Sequence, residues 1–78
     1  MNKDRRKRLT ILQAQLEEIA SALDEIRNEE QEAYDNLPES IQYSSTGDAM
    51  SDAIDNIDEA ASLLEDIDSY LDDAKGGD

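Results

Sequence analysis

The stretch LTILQAQLEEIASALDEI, residues 9–26, decides how this chain folds. Its Leu9, Leu12, Leu16, Ile19, Leu23 and Ile26 recur at alternating three- and four-residue steps. That spacing sets them on one stripe of an α-helix, in the seam pattern of a coiled coil. The steps run on through Glu30, Ala33 and Leu37, with Glu30 the one charged member. Ala, Leu, Glu, Gln and Arg fill most positions between, and all favour helix. A first helix is therefore expected over about 4–36, capped by Asp4. Pro38 ends it, because proline disfavours helical geometry at the residue before it, Leu37.

Further along, Met50, Ala53, Ile57, Ala60, Leu64, Ile67, Leu71 and Ala74 repeat the same spacing. Ser45-Thr46-Gly47-Asp48 reads as a variant capping box with Ser45 as cap. Lys75-Gly76-Gly77 reads as a helix end. This predicts a second helix over about 47–74 and a connector over 37–46, within one domain of residues 1–78. Pro38 is expected to open a short helical turn, with Ile41 and Tyr43 folding back over the end of the seam. Two helices of roughly thirty residues, each about 45 Å long, should pack as an antiparallel two-helix hairpin. The matching seams set Ile26 against Ile57, Ile19 against Leu64 and Leu12 against Leu71. The fold class is all-α and coiled-coil-like.

Charge carries the functional signal. The net charge is −14. From Asn28 to Ala74 there are fifteen acidic residues and no Lys, Arg or His. Basic residues gather at the start, in Arg5, Arg6, Lys7 and Arg8. There they are expected to face Asp66, Asp68, Asp72 and Asp73 on the second helix. A polyanionic coat repels nucleic acid and anionic membranes and attracts basic protein surfaces. Helices kept soluble by charge normally mix both signs, so a stretch without cations accepts repulsion and points to a use. Asp48, Asp52, Asp55, Glu59, Asp66 and Asp73 fall on one stripe of the second helix. Its rise of about 5.4 Å per turn is of the same order as the phosphate spacing along a strand. Asp48, Asp52, Asp55, Asp58 and Glu59 are the expected partner-binding acids. Tyr34, Ile41 and Tyr43 near the turn are the expected anchors, since aromatic residues often carry interface energy.

Catalysis is not expected. The chain has no His and no Cys, so no neutral-pH base stands ready to activate a hydroxyl. No calcium loop and no Glu-x-x-His pattern is present, and neither a metal nor a cofactor is expected. No apolar run reaches the length of a membrane span. The basic start is followed by a segment broken by Thr10, Gln13 and Gln15, which does not read as a signal-peptide core. A cytoplasmic location is the expectation. Ile11, Tyr34, Ile54, Ala61, Leu63 and Tyr70 lie beyond the seam. This surplus predicts a homodimer that forms a four-helix bundle.

The run Glu29-Glu30-Gln31-Glu32-Ala33-Tyr34-Asp35-Asn36-Leu37-Pro38-Glu39-Ser40-Ile41-Gln42-Tyr43-Ser44, followed by Ala53 to Ala60, resembles short acidic helical-hairpin proteins of bacteriophages and mobile elements. The resemblance covers roughly residues 9–74 and carries over no binding residues. It implies an accessory protein of a bacterial host cell, in a setting where inhibitors of host defence, anti-CRISPR proteins among them, are common. Two readings stand side by side. One is a DNA mimic that binds a nucleic-acid-handling enzyme, with no direct contact to nucleic acid. The other is a non-inhibitory structural or assembly module.

Overall fold

Asn2 starts the first helix. Its Oδ1 accepts the backbone N–H of Arg5 at 2.9 Å, which satisfies one of the donors that a helix start leaves open. In the computed structural model, which describes residues 1–76, α1 spans Lys3–Asp35, α2 spans Glu39–Gln42 and α3 spans Ser45–Gly76. The chain is all-helical, with no strand among the described residues. Asp4, expected as the cap, lies in the first turn instead. The difference is one of reach: Asn2 bonds the donor three residues on, which places the cap earlier.

The connector is tighter than expected. Pro38 is the N-cap of α2, and its carbonyl accepts the N–H groups of Ile41 and Gln42 at 2.9 and 3.0 Å. Ser44, one residue before the expected cap, accepts the Asp48 N–H at 3.0 Å, so α3 is already helical at Ser45. Gln42 reaches back, its Nε2 donating to the Tyr34 carbonyl at 3.0 Å. Tyr43, expected to fold back over the end of the seam, is 78% exposed, and Ile41 is 40% exposed. The Gln42 amide adds a second donor to the Tyr34 carbonyl, which also accepts the Leu37 N–H at 3.1 Å.

The molecule is an elongated body of 58 × 15 × 11 Å. Gln13 Nε2 donates to Asp68 Oδ1 at 3.0 Å and to Asp72 Oδ1 at 2.8 Å. Arg27 Nε donates to Asp58 Oδ1 at 3.0 Å, and Lys75 Nζ to Thr10 Oγ1 at 3.2 Å. Across these bonds, partner numbers on α3 fall as those on α1 rise.

The rotation of the two long helices differs from the expected seam. Leu9, Leu16, Leu23 and Leu37 are half-buried, as expected. Their companions on α1 are Arg6, Gln13, Ala20, Arg27 and Tyr34. Leu12, Ile19, Ile26 and Ala33 are turned out instead, with Ile19 49% and Ile26 51% exposed. On α3 the expected Met50, Ala53, Ile57, Ala60, Leu64, Leu71 and Ala74 are all half-buried, and Ile67 alone of that seam is exposed; Gly47, Ile54, Ala61 and Asp68 join them on one flank. The pairing of Ile19 with Leu64 and Ile26 with Ile57 is thus corrected by one helical row. Among the described residues Ile54 is the one buried large apolar side chain, 6% exposed.

The cause lies in the turn. Gly47 is buried, and a Cβ there would fall within 2.7 Å of Gln42 Cα and closer still to its carbonyl. Because glycine permits this approach, α2 sits against α3 on the row that Gly47 begins. That draws Gly47 and Ile54 inward and leaves Ile67 exposed. A crosslink distinguishes the two rotations. The chain has no native Cys. Ala20 and Leu64 line the same groove, so cysteines placed at both should form an intrachain disulfide in nearly every molecule. Cysteines at Ile19 and Leu64, the pair that the expected seam sets together, should crosslink far less, because Ile19 is turned out. Non-reducing gels and peptide mapping read the result.

Candidate protein-binding surface

The acids of α3 sort into two groups by helical angle. Asp48, Asp52, Asp55, Glu59, Asp66 and Asp73 are all exposed. They step by four and three residues, with Ser62 and Ser69 at the gaps, so they form one continuous row. This row lies away from the α1 interface, because residues such as Ile54, Ile57 and Leu64 occupy the opposite side. Asp58 is not on it. Its carboxylate is held by Arg27 across the helix pair, with 53% side-chain exposure. Of the five acids expected to bind a partner, four share the row and the fifth is part of the cross-helix bonding.

Electrostatics at the turn end run against the helices' own preferences. The last turn of α1 has no base, and Glu29, Glu30, Glu32 and Asp35 crowd its final two turns. Carboxylates at a helix C-terminus oppose the macrodipole, at a cost of about 0.3–1 kcal/mol each when exposed. Asp48, in the first turn of α3, is favourably placed. The two helix ends therefore form one acidic pole beside the connector. Tyr43 is open there, Ile41 is 40% exposed and Tyr34 is half-buried. Of the expected anchors, Tyr43 is the most exposed.

Within the basic start, Arg6 is half-buried on the row of α1 that meets α3. Arg8 reaches Asp4 of its own helix at 3.7 Å. Two of the acids expected opposite the basic cluster, Asp68 and Asp72, are engaged by Gln13, and Asp72 also lies 3.8 Å from Lys75. Gln13 was read only as a break in an apolar segment. Its position one row from Leu16, facing the acids of α3, is a signal that a heptad reading passes over.

The surface offers shallow grooves. The one between Leu16, Ala20, Leu64 and Asp68 is lined by both helices. No group of three or more Asp or Glu side chains among the described residues is close enough to hold a metal ion. No helix among them is long and apolar enough to cross a membrane. Comparison with known proteins finds no matching family model, no curated relative and no similar solved structure.

Proposed function

We propose that the chain is an antiparallel two-helix hairpin of coiled-coil type that serves as a small acidic protein-binding module. It occupies the basic surface of a nucleic-acid-handling protein, in the manner of a phage-type inhibitor of a host defence enzyme in the bacterial cytoplasm. One observation carries this reading: the exposed row from Asp48 to Asp73, in a stretch that contains no cation. A one-sign field on a stiff rod speeds encounter with a basic groove and competes with the polyanion that groove normally holds. Tyr43, at the acidic pole, supplies an apolar contact that charge alone lacks.

The test uses immobilised protein and bacterial lysate treated with nuclease to remove bridging nucleic acid. The wild type should retain a nucleic-acid-binding protein that added duplex DNA displaces. Changing Asp52 and Asp55 to Asn and Glu59 to Gln, all on the row, should keep the helices and weaken retention on the order of 100-fold. Undiminished retention by this variant, with no salt dependence, would sink the mimic reading. A second reading is favoured by a different observation, the outward turn of Leu12, Ile19 and Ile26. It makes the chain a structural or assembly module that forms a homodimeric helical bundle.

A further inference from the structure

The outward-turned rows form a face with its own charge pattern. Starting at Arg8 and stepping four then three residues, one passes Leu12, Ile19 and Ile26 and reaches Glu29 and Ala33. Starting at Ala49, the same steps pass Leu63, Ile67 and Tyr70 and end at Ala74. On these two rows only Arg8 and Glu29 are charged, in a chain where 36% of residues carry charge. Both rows flank the helix interface on the same side. The cross-helix contacts of Gln13, Arg27 and Lys75 flank it on the other. One broad face is thus polar and acidic, and the other carries few charges: Arg8 and Glu29 on these rows, with Arg5 and Glu30 at their inner edge.

We propose that a second copy of this chain covers the charge-poor face, with the two rods antiparallel and a two-fold axis crossing them near Ile19. Three observations select this occupant. Leu12 and Ile26 lie symmetrically about Ile19, and Leu63 and Tyr70 lie about equally far to either side of Ile67 on the neighbouring helix. A two-fold at that point sets Leu12 on the partner's Ile26 and Ile19 on its own mate. The same operation brings Arg8 to the partner's Glu29, so the two charges on these rows pair with each other. It also lays the basic segment Lys3–Arg8 of one copy over the acidic pole of the other. A parallel arrangement would instead stack the two acidic poles, which like-charge repulsion opposes. The broad side of a 58 × 15 Å body covers about 870 Å², near the ~800 Å² per partner of a stable interface.

This assignment deepens the homodimer reading and does not depend on what the acidic row binds. Sedimentation of the full chain, 8.7 kDa, at 0.15–0.5 M salt reads it directly; the salt, about physiological or above, screens the net repulsion between copies. The wild type should sediment as a dimer at micromolar concentration. Ile19 is half-exposed in the single chain, so Ile19→Glu should keep its helices by circular dichroism while raising the dimer dissociation constant at least about 100-fold. Arg8→Glu should weaken the dimer about tenfold through two symmetry-related repulsions, and adding Glu29→Arg should restore it. The acidic-row variant, with Asp52, Asp55 and Glu59 changed, should remain a dimer, which separates failure here from failure of the mimic reading. A wild type that stays monomeric at every salt and concentration overturns the proposal. So does a dimer indifferent to Ile19→Glu, or a charge swap that fails to rescue.

Discussion

Gly47→Ala should abolish the cooperative unfolding transition of this chain, or lower its midpoint by well over 10 °C. The added methyl has nowhere to go. It would meet the main chain of Gln42, which is fixed by bonds to Pro38 and Tyr34 and cannot rotate aside as a side chain could. Relief requires α2 to lift off α3, which also opens the row that carries Ile54. Overpacking of this kind costs about 3 kcal/mol or more, close to the whole stability that a core of this size supplies. Gly76 is the internal control: a Cβ there meets nothing within 4 Å, and Gly76→Ala should leave the midpoint within about 2 °C. Thermal melts followed at 222 nm, at one fixed protein concentration, measure both. Equal melting of the two variants would mean that the close approach at Gly47 does not exist.

Ile54→Ala should have an effect of the same order. Ile54 is the one large apolar side chain that is buried among the described residues, and truncation of a buried Ile costs about 2–5 kcal/mol. Ile11, half-exposed at the far end, is the comparison: Ile11→Ala should cost less than about 1 kcal/mol. Denaturant titration at low micromolar concentration reads the difference. The loss at Ile54 should persist on dilution, because its contacts lie within one chain. Comparable losses at Ile11 and Ile54 would show that the expected seam, with Ile54 outside it, was the right one.

The two long helices and their lengths were legible in the sequence, because three-four spacing over this many turns leaves few alternatives. Their rotation was not. A heptad reading ranks rows by apolar content, and by that measure Leu12, Ile19 and Ile26 outweigh Gln13, Ala20 and Arg27. The rotation adopted is fixed by one small residue at the turn and by polar side chains with partners across the interface, and neither weighs in such a ranking. Gly47 had been read as part of a cap, a local role, when its consequence is tertiary. The acidic row was legible as a row, since helical angle follows from numbering alone. That Asp58 is diverted to Arg27 was not, because the pairing depends on which flank of α3 meets α1.

The spacing of the cross-helix bonds has a kinetic consequence. Gln42 to Tyr34 closes a loop of eight residues, Arg27 to Asp58 one of 31, and Thr10 to Lys75 one of 65. The entropy lost on closing a loop grows with its length, so the turn closes at the least cost. Each layer then shortens the open segment left for the next. The chain closes like a zipper from Gly47 outward, and the end that carries both termini is the last to form and the first to open.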